Sequence, residues 1–305
     1  MNKLFLIIVL LILFGGGFYL VSHRQITPQS ENKKLQVYTS FYPLYFFASE
    51  IGGDKASVNN ITPAGAEPHD YDPTAQDIAK IETSNMLILN GSVEAWGGKI
   101  KDNLHGTNVT IITAGDGFLT KQLSEEGKTT KDPHVWLNPV LAKKEVIKIT
   151  AGFIKADPIN ASYYQRNEKQ LDAKLDQLDS EYKKGLANCQ SKDIITSHAA
   201  FAYMGSQYGL RQIAIAGISP DEEPSAQQLA DVADFAKKNN IHYIFFESLV
   251  SPKLSDTIAQ EVGAKTLVLD PLEGIPQDKI KHGEDYFTVM NQNLHNLQIA
   301  LQCTQ

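Results

Sequence analysis

Cysteine is scarce in this 305-residue chain, which holds only Cys189 and Cys303, both in its second half. With no cysteine near the N-terminus, a lipid-modified start is not expected. Basic residues are outnumbered, 28 Lys and Arg against 35 Asp and Glu, and the formal net charge is -7. Nucleic acid and anionic lipid both call for basic patches, so neither is expected as a partner. The chain lacks G-x-x-x-x-G-K-[ST] and H-E-x-x-H, so neither an ATPase phosphate loop nor the helical zinc-protease motif is present. Long apolar runs are missing too, except from Leu4 to Val21. That run exceeds the usual ~7–15-residue core of a signal peptide and sits at the lower limit for a membrane span. Residues 1–24 therefore read as an export signal retained as an anchor, with cleavage at a small-x-small site, Gly15 and Gly17, as the alternative. Residues 25–34 read as a polar tether. An exported chain meets an oxidising compartment, so a Cys189–Cys303 disulfide is expected, with two free buried cysteines as the other reading.

After the tether, short apolar runs alternate with helical patterns. Strands are expected in "LQVYTSF", "VNNIT", "MLILN" and "VTIIT", then again in "DIITSH", "RQIAIAGI", "HYIFFES" and "KTLVLD". Continuous apolar strands separated by helices argue for parallel sheets covered on both faces. The fold class is thus α/β, with two similar lobes at 35–138 and 189–305. The segment 139–188 joins them. In its second part Tyr164, Leu171, Leu175, Leu178, Tyr182 and Leu186 recur at spacings of three, four and seven, which marks one face of an amphipathic helix. From Ala161 to Leu186 such a helix would be roughly 40 Å long, and Pro158 should break it upstream. A stiff connection of this kind limits how far a cleft between lobes can open.

Three of the eight histidines share a context. His69 lies in "EPHDYDP", His134 in "DPHVWLNP" and His198 in "ITSHAAFAY", each where a strand gives way to a turn or helix. In open α/β sheets the carboxyl ends of strands face the ligand crevice. Prolines beside His69 and His134 restrict the backbone and lower the entropy lost in ordering the turn. Asp70 and Asp132 are placed to accept from imidazole N–H groups or to cap helices. The other histidines, His23, His105, His242, His282 and His295, fit solvated or packing roles. A fourth ligand is expected at Asp270 in "VLDPLEGI", with Glu273 one turn later as the substitute. Three imidazoles and a carboxylate suit tetrahedral Zn²⁺, whereas manganese or iron more readily takes a second carboxylate.

At these residues the chain resembles the solute-binding components of zinc and manganese ABC importers, the TroA-like cluster. The carrying segments are "TSFYPLYFFASEIGG", "EPHDYDPTAQD", "DPHVWLNP", "TSHAAFAYMGSQYGL", "ISPDEEPSAQQLADV", "FFESLVSPK" and "VLDPLEGI", spanning about Val37 to Ala300. The resemblance implies two α/β lobes joined by a long rigid helix, with metal in the cleft. It implies ligands at His69, His134 and His198, with Asp270, Glu273 or water as the fourth. A histidine in "TSHAAF" implies the zinc branch, with Mn²⁺ as the lesser alternative. It implies an extracytoplasmic monomer, not an enzyme, that delivers Zn²⁺ to an ABC-type membrane permease. One departure is plain: "GFLTKQLSEEGKTTKD", where many zinc members carry a His-rich loop, has no histidine.

Two competing readings follow from the same residues. A zinc hydrolase would use three histidines, an open position for water and Glu247 as general base. The same fold could instead carry manganese, iron or a metal chelate. Glu222 and Glu223 in "SPDEEPS" are candidates for contact with the permease, against a plain solvated loop.

Overall fold

The computed structural model describes residues 34–125 and 128–304. In the first lobe β1 (Leu35–Thr39), β2 (Ala56–Asn60), β3 (Met86–Leu89) and β4 (Thr110–Thr113) form a parallel sheet in the order β2-β1-β3-β4. Every residue of β3, Met-Leu-Ile-Leu, is buried, as a central strand covered on both faces requires. The covering helices include α1 (Tyr42–Gly52), α2 (Ala75–Glu82) and α3 (Gly97–Asn103). Thr74 starts α2 with a capping box, in which its hydroxyl accepts from Asp77 N–H and Asp77 accepts from Thr74 N–H.

An antiparallel hairpin follows, β5 (Gln122–Glu125) with β6 (Lys128–Lys131), where the sequence had suggested only a loop. The linking segment then forms two helices. Asn138 caps the first, α4 (Pro139–Ala156), and Asp157-Pro158 ends it, as expected of proline. The second, α5 (Ala161–Gly185), buries Tyr164, Leu171, Leu175, Leu178 and Tyr182, the face read from the sequence.

The second lobe contains β7 (Asp193–Thr196), β8 (Arg211–Ala214), β9 (Tyr243–Phe246) and β10 (Lys265–Val268), all parallel, in the order β10-β9-β7-β8. Counted from its own first strand, each sheet reads 2-1-3-4, so the two lobes share one topology. The helices here are α6 (Ala202–Tyr208), α7 (Ala226–Lys238), α8 (Lys253–Val262), α9 (Gln277–Lys281) and α10 (Tyr286–Ala300). The disulfide Cys189–Cys303 ties the start of this lobe to the end of the chain.

Helix α5 braces both lobes. Its first half holds the end of α1, through Asn167 to the Ile51 carbonyl at 2.9 Å and the Tyr163 hydroxyl to Asp54 N–H at 3.1 Å. Its second half holds α10, through the Tyr182 hydroxyl to the Met290 carbonyl at 2.7 Å. Residues from Lys34 onward accordingly group as one unit. The expected anchor, 1–24, and residues 25–33 of the tether lie outside the described residues. Among the described residues no helix is long and apolar enough to cross a membrane.

Candidate metal centre

The switch point of a 2-1-3-4 sheet lies between its first and third strands, and ligands bind beyond the carboxyl ends there. His198 follows β7 and Glu247 follows β9, at the switch point of the second lobe. Thr196 and Gln212 side chains both donate to the His198 carbonyl, at 2.8 and 2.9 Å, and fix the turn that carries the ring. From the first lobe, His69 comes from the loop after β2 and His134 from the turn after β6.

These three rings converge on one carboxylate. The Nε2 atoms of His69, His134 and His198 lie 3.1, 3.0 and 3.3 Å from Glu273 Oε1. His134 Nε2 and His198 Nε2 face each other at 3.3 Å. One donor atom from each of the four residues lies within 4.8 Å of all the others. His134, His198 and Glu273 are buried, and the His69 side chain is 7% exposed, so the group is open only at His69.

The opposite faces of two rings are also held. Asp132 Oδ1 accepts from His134 Nδ1–H at 2.8 Å and from the His134 backbone N–H at 2.9 Å. Glu247 Oε1 accepts from His198 Nδ1–H at 2.9 Å. A carboxylate at Nδ1 fixes the tautomer that leaves the Nε2 lone pair free for a cation. For both rings burial is the largest influence and opposes charge, but it is outweighed. Asp132 and Glu273 raise the His134 pKa, and Glu247 and Glu273 hold that of His198 well above the usual imidazole value. Burial alone would raise Glu273, yet His198, His134 and His69 hold it well below the carboxylate range. A proton on His134 or His198 Nε2 would bridge to Glu273, so proton and metal compete for the same nitrogens.

Asp270, expected as the fourth ligand, stands apart from these rings. Its carboxylate is engaged elsewhere, by the Ser248 hydroxyl and by Leu272 N–H at 2.7 Å, and it stands outside the four-residue group. Glu273, the expected substitute, is the carboxylate on which the three rings converge. Asp70 is neither imidazole acceptor nor cap, because Thr74 caps α2 and Asp70 meets the Ser219 hydroxyl at 3.4 Å. Glu67 was missed, although a shared signal marks it. It stands two residues before His69, as Asp132 does before His134, and each acid accepts the backbone N–H of its histidine, here at 3.1 Å. Burial first, then Glu273, pushes the Glu67 pKa up to about 9. His105, His242, His282 and His295 are exposed on the surface, as expected, and His23 lies outside the described residues. Glu222 and Glu223 sit exposed in their loop.

Comparison with known proteins places the chain in a family. The family described as "ZnuA: Zinc-uptake complex component A periplasmic" matches residues 37–300. The high-affinity zinc uptake system protein ZnuA of Bacillus subtilis is 40% identical over 284 residues, 89% of each chain. The zinc-binding lipoprotein AdcA of Streptococcus pneumoniae is 40% identical over 277 residues, 87% of this chain but 55% of AdcA. A zinc-bound crystal structure of the ZnuA-like domain of AdcA from Streptococcus pneumoniae superposes with a TM-score of 0.77 at 40% identity, covering 88% of this chain and 99% of that one. With the match running through both lobes and the four converging residues, the chain belongs to the ZnuA family of periplasmic zinc-uptake components.

Proposed function

We propose that this protein captures Zn²⁺ outside the cytoplasmic membrane, on His69, His134, His198 and Glu273, and delivers it to the membrane permease of an ABC importer. One observation carries the reading: the separations of the four donors. Zinc–ligand distances of ~2.0–2.1 Å imply a tetrahedron with edges of about 3.3–3.4 Å. Four of its six edges, 3.0, 3.1 and 3.3 Å to Glu273 and 3.3 Å between His134 and His198, are close to that value, and the two from His69 to the other imidazoles lie within 4.8 Å. His134, His198 and Glu273 then need little movement to load the ion, and His69 is the donor that closes on it. Nitrogen-rich, four-donor coordination favours zinc over manganese, which prefers more oxygen ligands and higher coordination.

The hydrolase reading is weaker. Four protein donors leave no open position for an attacking water, and Glu247, its candidate base, is bound to His198 Nδ1 at 2.9 Å. The protein acts in this scheme as a monomeric carrier, with lobes at 35–138 and 189–305 linked by 139–188. Residues 1–24, with the apolar run from Leu4 to Val21, serve as its membrane anchor and residues 25–34 as the tether.

Isothermal titration of the metal-stripped protein with Zn²⁺ and Mn²⁺, repeated on His198→Ala, tests the proposal. One tight zinc site, much weaker manganese binding and a large loss in the variant support it. Equal affinity for the two metals, or unchanged zinc binding by His198→Ala, overturns it.

A further inference from the structure

We propose that Trp136 is a positioning residue for Glu273: with Asp270 it clamps the peptide unit between Pro271 and Leu272, which holds Leu272 left-handed and aims Glu273 at the three histidines. The inference rests on the zinc-carrier reading and names what sets its fourth donor.

Both ends of that one peptide unit are tied. Trp136 Nε1–H donates to the Pro271 carbonyl at 2.8 Å, and Leu272 N–H donates to Asp270 Oδ1 at 2.7 Å. Leu272 itself is fully buried with φ 58, in a region that residues with a Cβ adopt rarely and at a cost. Such a residue persists only where its surroundings over-determine it. A flip of the peptide unit, the simplest escape, would break both hydrogen bonds at once. Glu273 is the next residue, so its direction of departure is set by this torsion.

The two sides of the clamp are themselves fixed. Trp136 is fully buried, packs edge-on against Phe41 at 4.7 Å between ring centroids, and accepts the Tyr286 hydroxyl on its carbonyl at 2.6 Å. Asn293 on α10 exchanges two hydrogen bonds with the Asp270 backbone, at 2.8 and 2.7 Å. Trp136 stands two residues after His134, and Pro271 two residues before Glu273. The indole bond is thus a direct tie between a ligand turn of one lobe and a ligand turn of the other. This also gives Asp270 its role, as the partner that holds the peptide N–H.

Trp136→Phe keeps an aromatic ring and removes the donor. Zinc affinity measured by competition with a chromophoric chelator should fall about 10–100-fold, the range seen when a group that orients a ligand is lost, while the circular dichroism spectrum stays that of wild type. Adding Leu272→Gly to this variant should recover part of the loss, because glycine enters positive φ without the steric cost that a Cβ imposes, and adding Leu272→Ala should not. In a Glu273→Ala background Trp136→Phe should have no further effect on zinc. Wild-type affinity in Trp136→Phe, equal behaviour of the Gly and Ala double variants, or an undiminished effect without Glu273 each overturns the clamp. Failure of wild type itself to bind zinc would instead overturn the carrier reading, and the clamp with it.

Discussion

Replacing Glu145 with methionine probes a buried acid that the zinc site does not use. Glu145 lies on α4 with its side chain fully buried, and among the described residues neither of its carboxyl oxygens has a hydrogen-bond partner. Burial, reinforced by the neighbouring Glu94 and only partly relieved by Lys148, pushes its pKa from 4.5 up to about 8. Glu94 is the better solvated of the two, since it accepts from Asn90 N–H at 2.7 Å and Gly91 N–H at 2.9 Å. Glu145 therefore stays protonated in the folded chain across a range where the unfolded chain has released the proton. Between those two pKa values the folded state binds more protons, so stability falls as pH rises. The interval from pH 4.5 to pH 7 corresponds to a loss of about 3 kcal/mol, and that to pH 8 to about 4 kcal/mol. Methionine has similar length and does not titrate. Urea unfolding of metal-stripped wild type and Glu145→Met at pH 5, 7 and 8 measures the difference directly, and other titrating groups cancel where they do not couple to this site. The variant should gain on wild type by about 2–3 kcal/mol between pH 5 and pH 7, and by more at pH 8. Parallel stability curves over that range would refute the reasoning, because they would mean that the group ionises as easily folded as unfolded.

The remaining predictions concern the metal and the disulfide. Asp132→Asn keeps an oxygen near His134 but loses the charge that fixes its tautomer, so zinc Kd should rise about 10–100-fold by chelator competition. Because the metal-free pKa values of His134 and His198 lie above the usual imidazole value, zinc affinity should begin to fall while pH is still above about 6.5. Titrations in buffers of different ionisation enthalpy should show proton release on binding throughout that fall, and pH-independent affinity from pH 8 to pH 6 would contradict it. The same raised imidazoles give the metal-free fold stability that is complete below pH 6.5 and lost as pH rises through their folded values, the opposite slope to that of zinc binding. Replacing Cys189 and Cys303 with serine opens a loop of sequence separation 114. The chain-entropy relation gives about 5 kcal/mol for such a loop, and a loss of about 2–5 kcal/mol should appear in urea unfolding.

The strands were legible wherever burial on both faces forces a continuous apolar run, as in Met86–Leu89, and α5 was legible because one face repeats every three or four residues. The helix α1 was not, because Tyr42, Tyr45, Phe46 and Phe47 have strand-like composition, and packing against α5 and α10 decides the matter. The hairpin β5–β6 was hidden for the opposite reason: its residues are polar and carry no period. The three histidines stood out by their common place at strand ends. That Glu273 rather than Asp270 meets the three rings was not legible, because the left-handed backbone at Leu272 lies between them and a leucine announces no such turn. The acid-proline-histidine pattern shared by residues 67–69 and 132–134 was present in the sequence, and its significance lay in a backbone hydrogen bond that only coordinates reveal.

The distribution of the four donors over the lobes has a further consequence. His69 and His134 belong to one lobe, His198 and Glu273 to the other, so neither lobe alone offers more than a pair. High affinity then depends on the effective concentration at which one pair meets an ion already held by the other, a quantity set by geometry and falling quickly with misfit. The helix α5, bound at both ends, keeps that concentration high without any further contact to the ion. Parting the two pairs would divide the four-donor group into two pairs, each with half of the donors.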